Sequence, residues 1–153
     1  MAHVPDEGQL SVTVQKARRR NDVERRAGLR AGEQGRARRR AFVDRLLPKS
    51  VVRKLVDVLG APFVAVIGHA DNTATVRRWM DGKEHPEEIA RLRVALEVVL
   101  YLQTVEYDDA INAWFRGMNH ILGDANPGLV IADESLELAR NAVMGAASAF
   151  LAQ

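Results

Sequence analysis

The sequence predicts an all-α protein. Apolar residues recur at helical spacing along most of the chain, no stretch alternates apolar and polar residues convincingly, and most glycines and prolines fall between the periodic segments. The apolar run Leu129-Val130-Ile131-Ala132 is too isolated to build a sheet, and no internal repeat is visible.

The 153 residues fit one domain, or one small domain with a second module or tail. An apolar fraction of 47% permits a real core, and aromatics at 5% mean that Leu, Val, Ala and Ile must build it. The chain has no cysteine, which excludes disulfides and thiolate metal sites and fits a reducing compartment. No segment resembles a signal peptide, and none approaches ~18 consecutive apolar residues. The expectation is a soluble cytoplasmic protein with no membrane partner.

The net charge of +2 hides an asymmetry. Residues 1–40 carry 11 Lys/Arg against 5 acidic residues, while residues 41–153 carry 11 against 15. A basic arm on a mildly acidic body points to contact with a polyanion, most simply nucleic acid.

The elements follow in order. Pro5 and Gly8 predict disorder over residues 1–10. Ser11 to Arg30 tolerates helix, but its apolar stripe of Val14, Ala17, Val23 and Leu29 is thin. The glycines of Ala31-Gly32-Glu33-Gln34-Gly35 are expected to interrupt it, and helix resumes over Arg36–Leu47. After Pro48, Lys49–Leu59 carries Val51, Val52, Leu55, Val56 and Leu59 on one side and stops at Gly60. Ala61–His69 is a short apolar helix with Pro62 in its first turn. Asn72 or Thr73 caps the helix Thr73–Asp81, which Gly82 ends. Pro86–Val105 is expected to be the longest helix, with a wide apolar face, and so the central one. Tyr107–Arg116 follows, then an irregular stretch to Asp133, then a last helix to about Leu151.

The pair Ala61–His69 and Thr73–Asp81 meets the requirements of a helix-turn-helix. Val66 and Ile67 are expected to pack against Val76, Trp79 and Met80 across a tight turn. That leaves Asn72, Thr73, Thr75, Arg77 and Arg78 toward solvent or at the edges, where Arg can bond guanine and Thr and Asn can reach bases or phosphates. The runs Arg18-Arg19-Arg20 and Arg38-Arg39-Arg40 are candidates to track phosphates or enter a minor groove. The Gly60–Pro86 segment is spaced like the Xre (lambda-repressor-like) family.

A second informative stretch is Ala113-Trp114-Phe115-Arg116-Gly117-Met118-Asn119-His120-Ile121-Leu122-Gly123-Asp124-Ala125-Asn126-Pro127-Gly128-Leu129-Val130. A Trp ends a helix, an Asn follows five residues later, then come Leu122, a Gly-Asp turn and Pro127. This resembles the C-terminal toxin-binding domain of the Xre/MbcA/ParS antitoxins, partners of RES-domain toxins. With the helix pair before it, the resemblance covers about residues 48–153. It implies a non-enzymatic antitoxin that blocks the active site of an NAD-degrading RES toxin and represses its own operon as a homo-oligomer. Trp114, Asn119, Leu122 and Pro127 match the framework of the module. Phe150 and Leu151 fall in the helix that approaches the toxin. The family often has proline where this chain has Met118, and the usual basic residue before Pro127 is missing.

The resulting organisation is a basic, largely flexible arm (1–40), an Xre-like helix-turn-helix domain (41–105) and a toxin-binding module (106–153). The alternative is a stand-alone transcriptional repressor, of the prophage kind, whose C-terminal module only oligomerises. A third reading is a helical adaptor that binds protein alone. An enzyme is poorly supported. His3, His69, His85 and His120 lie far apart in sequence, and no metal-ligand spacing, phosphate loop or nucleophile elbow is found. No cofactor is expected.

Overall fold

The computed structural model describes residues 7–153, so positions 1–6 of the segment expected to be disordered lie outside the described residues. Positions 7–10 instead begin a helix, α1, which spans Glu7–Arg45. The chain divides into two compact units, Met1–Arg38 and Arg39–Gln153.

In the first unit the side chains of Val12, Val14, Val23 and Leu29 are exposed, as the thin apolar stripe requires. Ion pairs one turn apart, Arg20–Glu24 at 3.5 Å and Arg25–Asp22 at 3.3 Å, brace the helix. The expected interruption at Ala31–Gly35 does not occur. Each glycine costs about 1 kcal/mol relative to alanine, but Ala31, Glu33, Gln34 and Arg36 around them are good helix formers. The chain also has no proline between Pro5 and Pro48 to block the hydrogen-bond ladder.

The second unit is helical throughout, and its one β feature among the described residues is a single bridge, Asn119–Ala125. Its helices are α2 (Pro48–Leu59), α3 (Ala61–Ile67), α4 (Thr73–Met80), α5 (Ile89–Leu102), α6 (Asp108–Arg116), α7 (Pro127–Asp133) and α8 (Leu136–Leu151), with a 3-10 turn over His120–Leu122. Pro48 sits at the start of α2 rather than before it, where its missing N–H costs nothing. Helix α5 is central, as expected: Leu92, Val94, Ala95, Leu96, Val98, Val99 and Leu102 are all buried against α2, α7 and α8. It is shorter than Pro86–Val105 because Glu87 and Glu88 form a turn before it, with Pro86 buried.

The stretch after Gly117, expected to be irregular as far as Asp133, ends in a helix. Asn126 accepts a hydrogen bond from Leu129 N at 2.7 Å, Pro127 opens α7, and Val130, Ile131 and Ala132 are buried. Three residues of the isolated apolar run are thus the inner side of a two-turn helix, and the fourth, Leu129, is exposed.

One core runs through the unit without a break at residue 105. Helix α3 packs on α7, and α2 on α6. Asn112 donates to Val58 O at 2.8 Å and Arg116 to Leu59 O at 2.6 Å, so α6 satisfies the last carbonyls of α2. Arg116 also lies over the Phe63 ring, 4.4 Å from its centroid. Among the described residues no helix is long and apolar enough to cross a membrane.

Candidate nucleic-acid interface

Helices α3 and α4 form a pair closed by a tight turn. His69 takes a left-handed backbone (φ 57°) in that turn, and its Nε2–H donates to Ala132 O of α7 at 2.6 Å. Trp79 lies so close to Gly68 that a Cβ there would meet Trp79 Cζ3 at 2.9 Å. Ile67, Val76 and Trp79 are buried, and Met80 partly so. Val66, expected to join them, is exposed. Phe63, Val64 and Ile67 share the inward face of the seven-residue helix, and Val66 falls about 100° away from Ile67 on the helix wheel.

Helix α4 has only eight residues, and both ends are fixed. At its start Asn72 Oδ1 accepts from Thr75 N at 3.0 Å, an N-cap. At its end Gly82 adopts φ 71°, Lys83 N bonds Arg78 O at 3.0 Å and Gly82 N bonds Trp79 O at 3.2 Å. This is the Schellman arrangement, and it turns the chain back along the helix. Arg53 of α2 adds a third tie, donating to Met80 O at 2.7 Å.

Three of the expected DNA-contacting residues form one hydrogen-bonded row on α4. The Thr75 hydroxyl donates to Asn72 Oδ1 at 3.3 Å, and Arg78 Nη2 donates to Thr75 Oγ1 at 2.9 Å. The row ends on Glu84, whose Oε1 accepts from Arg78 Nε at 2.8 Å. Thr73 is half-buried in the first turn. Arg77 is exposed and stands outside the row. Sequence reasoning missed Glu84 and Arg53. The signal for Glu84 was present in Gly82, since a left-handed glycine after a helix folds the next residues back onto its last turn.

The arm residues behave differently from one another. Arg18, Arg19, Arg20, Arg38 and Arg40 are exposed. Arg39 instead lies over the Tyr101 ring at 4.5 Å, with its Nε buried and without a hydrogen-bond partner. Its guanidinium holds the last turns of α1 against α5. Nearby, Glu97 of α5 is the one charged residue in the core among the described residues, at 5% exposure, 3.3 Å from Arg140 of α8. Burial pushes its carboxyl above the ordinary range, against the pull of Arg140 and Arg40.

Of the residues expected to bind a protein partner, Trp114, Asn119 and Phe150 line a shallow cleft between the end of α6, the 3-10 turn and α8, and Leu122, Pro127 and Leu151 do not. Trp114, Met118, Asn119, His120, Ile121, Ala146, Phe150 and Gln153 line it. Trp114 meets Phe115 edge-on at 5.3 Å and Phe150 at 6.0 Å. Met118 at 85% and Ile121 at 51% exposure form an apolar rim. Asn119 is a loop cap: its Oδ1 accepts from Ile121 N at 3.0 Å and its backbone pairs with Ala125. Leu122 and Leu151 are half-buried against the core, and Pro127 is buried at the start of α7.

Among the described residues no group of three or more His, Asp or Glu side chains is placed to hold a metal ion. No family model, curated protein or solved structure matches the chain.

Proposed function

We propose that the chain is a non-enzymatic DNA-binding antitoxin of the Xre/MbcA/ParS kind. It binds its operator through α3 and α4 and holds a RES-domain toxin with the region 114–153. The observation that carries the DNA half is the row Asn72–Thr75–Arg78 on a short helix fixed at both ends. A major groove admits a helix of this kind, and Asn, Thr and Arg are side chains that pair with base edges there. Arg77, Arg53 and the exposed arginines of α1 supply phosphate contacts, the sequence-independent share of affinity.

The partner half is supported by the resemblance of Trp114–Pro127 and by the apolar rim of the cleft beside Phe150. Exposed Met and Ile next to a partly covered Trp suit a protein surface better than water. The protein acts as a homo-oligomer on paired half-sites.

Two experiments test the reading. Replacing Arg77 and Arg78 with Ala together abolishes specific binding to the upstream region of the gene in a fluorescence-anisotropy titration. Co-expression with the RES-domain product of the neighbouring reading frame prevents NAD loss and growth arrest. DNA binding without such a neighbour, or without rescue, leaves the stand-alone repressor instead. Unchanged DNA binding in the double variant refutes the role of α4.

A further inference from the structure

Two adjacent arginines on one short helix are not equivalent here. Arg77 is exposed and outside the α4 row, whereas Arg78 is held at two points. Its Nε–H goes to the Glu84 carboxylate and one Nη2–H goes to Thr75 Oγ1. An arginine has five N–H donors in a planar fork. The two bonds leave both Nη1 hydrogens and the second Nη2 hydrogen, so each terminal nitrogen keeps a donor. A parallel pair of such donors, one from each nitrogen, matches O6 and N7 of guanine.

The clamp is assembled by local structure. The Asn72 cap fixes Thr75, the turn at Gly82 brings Glu84 back beside Arg78, and the charge of Glu84 strengthens its bond to the guanidinium. A free arginine must give up rotamer freedom when it binds, and Arg78 has already given up much of it.

We infer that Arg78 reads a guanine in the major groove and that Glu84 is a specificity-determining positioning residue which holds it in the reading geometry, while Arg77 contacts the phosphate backbone. The inference rests on the DNA-binding role proposed for α4. It assigns an acidic residue a positive role at a polyanion interface. Simple electrostatics predicts the opposite, since an acidic group near phosphates weakens every sequence alike.

The test selects sequences from a randomised duplex library with the full-length chain and with variants, then measures affinity and salt slope on the selected site and on its guanine-substituted versions. Glu84→Ala and Arg78→Ala each lower discrimination at one guanine about tenfold, and the double variant is no worse than either. Arg77→Ala weakens all sequences alike and lowers the salt slope by about 1. Glu84→Gln, which keeps an acceptor but no charge, falls between. Circular dichroism melting checks that each variant folds as the parent does, and Glu84→Gln keeps the test open if Glu84→Ala does not. Retained guanine preference in folded Glu84 variants, with affinity changed equally for every duplex, overturns the inference and leaves the DNA-binding reading intact. A parent chain that enriches no sequence and binds no duplex at low salt overturns both.

Discussion

The Phe63 ring fills the space that a side chain on Gly128 would need: a Cβ there would run into Phe63 Cζ and lie 2.7 Å from Cε1. This packing joins α3, which supports α4, to α7, which follows the Trp114–Leu122 segment. Neither Phe63 nor the α7 backbone can yield easily, because Phe63 is also covered by Arg116 and the inner face of α7 is buried. Gly128→Ala therefore overpacks the junction. The expected decrease in stability is about 1–3 kcal/mol, read from the midpoint of urea unfolding. A variant as stable as the parent would show that α3 and α7 separate without cost.

The cap of α4 gives a second prediction. Eight residues make a helix that is marginal without tertiary support and capping. Asn72→Ala removes the bond to Thr75 N, and the row is deprived of its first acceptor. A cost of about 1 kcal/mol is expected, with faster amide exchange confined to Thr73–Val76. Asn72→Asp retains the cap and restores protection. Equal protection in Asn72→Ala and the parent would mean that packing by Val76 and Trp79 alone holds the helix.

These two sites separate what is legible in the chain from what is not. The caps, the glycine stops and the central helix are local, and local spacing reveals them. Asn72 and Gly82 punctuate α4 as their residue types demand. The Phe63–Gly128 packing joins positions far apart in sequence, and no periodicity predicts it. Helix α7 is hidden for a related reason. Its two turns are too short for a helical stripe, and only its cap at Asn126 and Pro127 announces it. The candidate site divides the same way. The outward faces of Asn72, Thr75 and Arg78 follow from the helix wheel, whereas the bond from Arg78 to Glu84 requires the direction of the chain beyond Gly82. Among the arm arginines, only three-dimensional packing distinguishes Arg39, on Tyr101, from its exposed neighbours.

Glu97 carries a prediction about pH. Its folded-state pKa lies above its ordinary value of 4.5, chiefly because burial disfavours the charged form. Arg140 and Arg40 oppose the shift and Asp44 adds to it. A raised folded pKa means that the native state holds the proton more tightly than the unfolded chain does. The stability from this group is fully present below the unfolded pKa and is lost as pH rises through the folded one. The difference in unfolding free energy between the parent and Glu97→Gln should therefore shift against the parent as pH rises from below 4.5 through the folded-state pKa. Urea titrations of both proteins across that range measure it. A difference that is flat, or that moves in favour of the parent, would mean that Arg140 outweighs burial.

The basic arm provides the last prediction. Residues 1–38 form a unit of their own and contain 9 of the 22 Lys/Arg, while Arg39 belongs with the body through its stacking on Tyr101. Deleting residues 1–38 thus removes charge and leaves the shared core of residues 43–147 whole. The melting temperature of the truncated chain should stay within a few degrees of the parent's, because surface changes away from the core cost little. Affinity for duplex DNA should fall, and the dependence of log K on log salt should flatten by about 0.9 for each phosphate that the arm neutralises. Preference for one sequence over another should survive, because α4 is untouched. A truncated chain with the parent's affinity and salt slope would limit the DNA-binding surface to α4 and its supports. One that keeps affinity but has no sequence preference would move base reading to the arm.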